Sequence, residues 1–231
     1  MTPALLLFGA SGAVGGAVRE RFLSRGWSVV STGRSVPVGS DATAFDPFAP
    51  GFDPACLDSR GPFDAVCWAQ GANVNDSVHD VDMERHLALY KANCLFVIAG
   101  LKLLLARGLL TRPARLCIVS SVWQELARQD KLSYCVTKAA LHGLVLSAAA
   151  DLAADGHLIN AVLPGVLDTP MTHENLTPDQ VESVQAMTQF KRLPALADVA
   201  GLVGYLCSTE NTGITGQFIA ADLGFSHVRL L

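Results

Sequence analysis

The chain has 231 residues, of which 50% are hydrophobic and only 16% charged, with a formal net charge of −4. That balance excludes a disordered segment, which needs the opposite proportions. Mild acidity with dispersed basic residues excludes a nucleic-acid surface, which needs a clustered basic face.

Length and composition suit one domain spanning residues 1–231, with no internal repeat, low-complexity tract or linker. Cys56, Cys67, Cys94, Cys117, Cys135 and Cys207 form no C-x-x-C pair, and most sit in apolar runs. They read as reduced core thiols of a cytoplasmic protein rather than as a disulfide or zinc framework, and no metal site is expected. A strand-like run begins at Ala4 without a basic leader, and the most apolar stretch, Leu95 to Leu105, is interrupted by Lys102. A buried helix is therefore expected there, and no membrane partner.

In chain order, strands are predicted at Ala4–Phe8, Trp27–Ser31, Ala42–Asp46, Ala65–Ala69, Leu116–Ser120, Leu158–Leu163 and Gln217–Ala220. They are apolar nearly throughout, as befits strands covered on both faces. Helices are predicted near Val14–Arg25, Val81–Arg107, Leu132–Ala154, Pro178–Thr188 and Ala197–Cys207. This alternation predicts an α/β fold, a Rossmann-like doubly wound parallel sheet of about seven strands with helices on both faces. Ligands of such sheets collect beyond the carboxyl ends of the strands, so the residues there matter most.

After the first strand come Gly9-Ala10-Ser11-Gly12-Ala13-Val14-Gly15, a glycine turn opening a helix. Backbone N–H groups presented without side chains, at the positive end of a helix, suit a pyrophosphate. The same turn would also serve tight strand-to-helix packing. At the end of the second strand, Gly33-Arg34 stands where an acidic residue would hold an unphosphorylated ribose. Arg34 can instead pair with a 2′-phosphate, which favours NADP(H) over NAD(H); the plainer reading is a solvated arginine in a turn.

Tyr134 and Lys138 lie four residues apart at the start of a predicted helix and share a face. A nearby ammonium favours the phenolate and is expected to bring the tyrosine from its usual value near 10 towards neutrality. Ser120 and Ser121 close the fifth strand, where a hydroxyl can steady charge on a substrate oxygen; a strand-end capping serine is the ordinary alternative. No G-x-S-x-G elbow marks Ser121 as a nucleophile.

Together these residues resemble the short-chain dehydrogenase/reductase family in its single-domain form, over nearly the whole chain. Ser121 precedes Tyr134 by 13 residues, a family spacing, and Asn93 in Tyr90-Lys91-Ala92-Asn93 matches the family's helix asparagine. The resemblance implies that Tyr134 donates or accepts a proton and that Ser121 orients the substrate oxygen. It implies that Lys138 tunes Tyr134 and holds the nicotinamide ribose, and that Asn93 supports a water-linked relay. Asp46-Pro47 resembles the adenine contact, and Pro164-Gly165-Val166 with Thr169 the segment flanking the nicotinamide. Ala69 and Gly71 would line the same cofactor after strand four.

Several positions depart from the family pattern. Phe8 stands for a frequent threonine, Ala13 for a glycine, Trp68-Ala69-Gln70-Gly71 for Asn-Asn-Ala-Gly, and Asp222-Leu223-Gly224 for Asp-Gly-Gly. The change at Ala69 is expected to affect sheet stability or cofactor geometry.

The implied activity is reversible hydride transfer between a carbonyl and an alcohol, run as ketone reduction. The rivals are a nucleotide-sugar epimerase or dehydratase of the same superfamily and a catalytically silent NAD(P) sensor. A lid is expected over Met171 to Arg192. Trp123 is expected to contact substrate, with Leu126 beside it; His173, Met187 and Phe190 suit either substrate or ordinary packing. His142 fits helix surface or interface. The two long apolar helices resemble those that pair subunits in the family, so a homodimer or homotetramer is expected.

Overall fold

The computed structural model describes residues 2–34, 36 and 41–228. Among these, seven strands form one sheet: β1 (Ala4–Phe8), β2 (Ser28–Gly33), β3 (Thr43–Ala44), β4 (Phe63–Trp68), β5 (Leu110–Val119), β6 (Leu158–Pro164) and β7 (Phe218–Ala221). They are parallel, in the order β3-β2-β1-β4-β5-β6-β7. The helices are α1 (Ala13–Leu23), α2 (Met83–Tyr90), α3 (Phe96–Ala106), α4 (Leu132–Leu152), α5 (Pro170–Asn175), α6 (Pro178–Ala186) and α7 (Leu196–Leu206).

The apolar strand runs follow from cover on both faces. Leu5 and Leu7 of β1 pack with Val18 and Phe22 of α1 and Val199, Val203 and Leu206 of α7. Leu6 and Phe8 face the other way, onto Phe96 and Leu104 of α3 and Leu141 and Val145 of α4. Leu5, Leu6 and Leu7 are fully buried, each contributing about 1.5–3 kcal/mol of transfer free energy. The strand order reverses between β1 and β4, and a crevice at their carboxyl ends is where such sheets receive ligands.

The family departures at Phe8 and Trp68 turn out to be one feature. The two residues are register partners on β1 and β4. Their rings stack at 5.5 Å with an 11° interplanar angle, and Phe8 also meets Phe45 and Phe96 edge-on. An aromatic cluster holds the sheet where the expected threonine and asparagine would have hydrogen-bonded. Ala69, whose change was expected to affect sheet stability or cofactor geometry, donates its N–H to the Phe8 carbonyl at 3.0 Å.

Three elements differ from expectation. β5 begins at Leu110, six residues before Leu116, because Leu110 pairs with Phe63 across a register irregularity between Phe63 and Ala65. The predicted helix Val81–Arg107 is α2 and α3 joined by a π-helical turn over Lys91–Leu95, whose wide loop closes with the Phe96 N–H on the Lys91 carbonyl. α5 falls at the start of the expected lid, where no helix was predicted. Thr169 caps it, and Pro170 at its first position suits a helix start.

Two helical stretches, Met83–Ala106 and Leu132–Asp155, are long and apolar enough to cross a bilayer. The interruption at Lys102 therefore does not exclude a span by length. Both stretches instead supply buried residues to the sheet's core, such as Phe96, Leu104, Leu141 and Val145.

Candidate active site

The glycine turn leaves β1 through Gly9, whose φ of +82° an L side chain rarely adopts. A Cβ there would also strike the Gln70 backbone N at 2.5 Å. Gly15, on the first turn of α1, must approach the turn closely, since a Cβ would stand 2.1 Å from the Gly9 carbonyl oxygen. Gly12 is different: its φ of −80° suits any residue, and a Cβ would meet only the Gly9 oxygen at an ordinary 3.5 Å. Nothing among the described residues requires a glycine at that position. Ser11, Gly12 and Ala13 are exposed, with Val14 half-buried behind them, at the head of an 11-residue helix. No side chain caps that head. This cradle fits a pyrophosphate, whose close approach would explain a glycine the fold does not need.

Arg34 is exposed just beyond β2, and Gly33 ends that strand. Asp46 and Pro47 follow β3, half-buried, with the Asp46 carboxylate accepting the Phe48 N–H at 3.0 Å. After β4, Ala69 is half-buried and Gly71 exposed; a Cβ on Gly71 would come 3.5 Å from Asn93 Oδ1 and 3.7 Å from Lys138 Nζ. On the far side, Gly165 follows Pro164 and donates its N–H to the Ala221 carbonyl, and a Cβ there would press on Asp222 at 2.9 Å. Val166 is half-buried, and Thr169 accepts from the Thr172 N–H at the head of α5. The expected cofactor residues thus line the carboxyl edge of the sheet from β2 to β6.

Ser121 leaves β5 nearly buried and accepts the Trp123 N–H at 3.3 Å. Tyr134, in the first turn of α4, is half-buried, with the Ser121 hydroxyl close enough to lower its pKa. One turn on, Lys138 is buried, with its Nζ 5.6 Å from the Tyr134 ring centre and donating to the Val119 carbonyl at 3.2 Å.

The expected lowering of the phenol by Lys138 does not appear. Burial pushes Tyr134 up to about 12, although the Ser121 hydroxyl pulls the other way. Burial likewise takes Lys138 down to about 8. The reason is burial: desolvation dominates at both groups, and the Lys138 ammonium is spent on a backbone carbonyl.

Asn93 lies in the π-helical turn, and its amide is engaged at both ends. Oδ1 accepts the Ala72 N–H at 2.8 Å, while Nδ2 donates to the Ala72 carbonyl and to Thr137 Oγ1 at 3.1 and 3.0 Å. Cys94 adds a thiol hydrogen bond to the Thr137 carbonyl. The wide turn therefore hands two consecutive side chains to the residue between Tyr134 and Lys138. Thr137 is a site residue that sequence reasoning missed, although its place beside Lys138 marked it.

Lys131 was missed too, three residues before Tyr134 and on the same helix face. Around the mouth, Trp123 meets Phe225 edge-on at 6.0 Å, and Leu126 packs on the core. His173 pairs with Asp168 at 2.8 Å. Met187 and Phe190 are exposed in the stretch expected to be a lid, and the Met171 side chain lies outside the described ones. His142 stacks on Phe218 of β7 at 4.1 Å, away from the tyrosine.

Residues 51–226 match a family model described as enoyl-(acyl carrier protein) reductase. The oxidoreductase YmfI of Bacillus subtilis, itself uncharacterised, is 25% identical over 248 residues, covering 97% of this chain and 99% of that protein. The 3-oxoacyl-(acyl-carrier-protein) reductase FabG of Escherichia coli is 26% identical over 234 residues, covering 95% of each. Among solved structures, the aldohexose dehydrogenase of Thermoplasma acidophilum superposes with a TM-score of 0.86 at 21% identity, covering 100% of this chain and 96% of that one. ElxO with NADP bound superposes with a TM-score of 0.83 at 20% identity, covering 97% and 99%. The chain belongs to the short-chain dehydrogenase/reductase family and is an NAD(P)-dependent dehydrogenase or reductase.

Proposed function

We propose that the chain is an NADP(H)-dependent carbonyl reductase, interconverting a ketone and an alcohol, with Tyr134 as its acid and base. The observation that carries this reading is the meeting of Ser121, Tyr134 and Lys138, with Gly71 of the carboxyl edge against Lys138. NADP(H), held along Ser11–Gly15, Arg34, Asp46, Ala69, Gly71 and the Pro164–Thr169 segment, would supply or accept the hydride.

Ser121 orients the substrate oxygen by hydrogen bonding, and Tyr134 donates its proton there as negative charge develops. A phenol pushed up to about 12 is protonated at neutral pH, which is the form reduction requires. The ammonium of Lys138 stabilises the phenolate left behind. Asn93 keeps Ala72 and Thr137 in place around that lysine, and so supports the relay that reprotonates the phenol. Trp123 and Phe225 wall the substrate side.

Arg34 supports NADP(H), since Gly33-Arg34 rather than an acidic residue stands at the end of β2, and the fold neighbour ElxO holds NADP. Free cysteines, four of them buried, support a reducing, cytoplasmic setting. The exposed face of α4 carries Leu132, Val136, Ala139, Gly143, Leu146 and Ala150, spaced alternately four and three residues apart. That stripe is a helix-pairing seam with small residues at its centre, and it supports a homodimer or higher homo-oligomer. Light scattering that showed a monomer would contradict it.

The test is NADPH consumption against simple ketones, quinones and 3-oxoacyl thioesters. Turnover with one of these classes is expected. NADPH binding without turnover on any of them would favour a sensor.

A further inference from the structure

Lys131 occupies a position that is unfavourable on two counts. It is 4% exposed, and it is the residue at the N-cap of α4, where the helix dipole disfavours a cation. It provides no cap. That task falls to Asp76 from the loop after β4, whose Oδ1 accepts the Ser133 N–H at 2.9 Å. The same loop docks through its backbone, with the Leu132 N–H on the Asp76 carbonyl and the Asp76 N–H on the Asp130 carbonyl. Lys131 Nζ donates to the amide oxygens of Asn73, at 2.9 Å, and Asn75. It also lies 5.9 Å from the centre of the Tyr134 ring, nearly as close as the 5.6 Å of Lys138. The centre of the Tyr134 ring therefore has two buried ammoniums within 6 Å, and the set Asn93, Ser121, Tyr134 and Lys138 accounts for only one.

We propose that Lys131 is a positioning residue for the reaction: its buried ammonium ties the Asn73–Asp76 loop to the head of α4 and adds a second positive charge beside Tyr134. The proposal rests on the reading of Tyr134 as acid and base. A neutral donor would make the ties to the asparagines without the penalty of a buried cation at a helix N-terminus. Retention of the charge at such a place points to the chemistry it faces. Burial and Arg128 both lower the pKa of Lys131, while Asp76 and Cys135 raise it. The groups around Tyr134 and Lys131 are thus Lys138 and Cys135 on α4, Arg128 before it, Asp76 on the loop, and His86 of α2 through Ser133 Oγ. Asp76 offsets part of the field of Lys131; its Oδ1 is committed to the Ser133 N–H, and its Oδ2 makes no hydrogen bond among the described residues.

The test compares Lys131→Met with Lys131→Arg in the full chain. Hydrogen exchange of the apo protein reads the tie: exchange at the Asp76 amide rises about tenfold or more in Lys131→Met. The Ala72 amide, held by Asn93, changes less, and Lys131→Arg behaves as wild type at both. The charge is read from the pH profile of kcat for oxidation of ethyl 3-hydroxybutyrate with NADP+, in which the phenolate is the base. Removing a nearby cation moves the acid limb up by about one pH unit, and Lys131→Arg restores it. A role confined to structure would lower the plateau and leave the limb in place.

Unchanged exchange at Asp76, or an unmoved limb, in folded Lys131→Met overturns the proposal. If that variant does not fold, Lys131→Gln is read in the same way; if the probe alcohol is not oxidised, the exchange result decides. Tyr134→Phe separates the two readings. Turnover surviving in Tyr134→Phe defeats the proposed function itself, whereas a dead Tyr134→Phe beside an unaltered Lys131→Met defeats only the role of Lys131.

Discussion

Gly12→Ala and Gly15→Ala differ by one methyl group each, yet they should fail in opposite ways. At Gly15 the new carbon would stand 2.1 Å from the Gly9 carbonyl oxygen and 2.7 Å from its carbon. Both atoms belong to the backbone and cannot rotate aside, so α1 must lift from the turn. Helix propensity returns about 1 kcal/mol, while overpacking of this severity costs about 3 kcal/mol or more. The net loss is about 2–3 kcal/mol, or about 4–12 °C in Tm for a chain of this size. At Gly12 the backbone is already extended and the nearest atom is 3.5 Å away. Only the cap preference is lost, about 0.5–1 kcal/mol, with a Tm change of about 2 °C. The methyl would nevertheless occupy the cradle itself, raising the Kd for NADPH about tenfold or more. Thermal unfolding and calorimetric titration with NADPH read the two effects separately. A Gly12→Ala protein that binds NADPH as wild type would refute the cradle, and an undiminished Tm for Gly15→Ala would refute the packing argument.

Other consequences follow from the same geometry. Phe8→Ala and Trp68→Ala should each cost about 3–5 kcal/mol in urea unfolding. Their double-mutant cycle should show about 1 kcal/mol of coupling from the stacked rings, and strictly additive losses would deny the stack any role beyond burial. Lys138 is held at about 8 when folded, against 10.5 as an ordinary lysine. The unfolded chain therefore binds the extra proton between those values, and the stability of the wild type rises with pH across that window. Lys138→Met should accordingly be more stable at pH 7 by about 3 kcal/mol, with the gain fading between about pH 8 and 10.5; a pH-independent difference would contradict the burial account. Arg34→Asp should weaken NADPH about a hundredfold and NADH little, as measured by Kd, and equal losses would remove Arg34 from cofactor selection.

Where physical pattern is local, it was legible. The unbroken apolar runs such as Leu5-Leu6-Leu7 announced strands covered on both faces, and the residues after them marked the carboxyl edge. What escaped depended on contacts distant in sequence. The π-helical turn is invisible in the Val81–Arg107 stretch because it exists to bring Asn93 and Cys94 to Thr137. Phe8 and Trp68 read as two separate departures until their register pairing made them one contact. Lys131 carried no spacing signal, since its partners Asn73 and Asn75 lie in a loop more than fifty residues earlier. The expectation for Tyr134 failed on burial: spacing places Lys138 one turn away, but it does not say where the ammonium is spent.

The central claim is that the phenolic oxygen of Tyr134 exchanges a proton with the substrate, and Tyr134→Phe removes only that oxygen. The account predicts that the variant keeps its Tm and its Kd for NADPH within about twofold, while kcat for ketone reduction falls about a thousandfold or more. A Tyr134→Phe enzyme that reduces the ketone at a wild-type rate would contradict it.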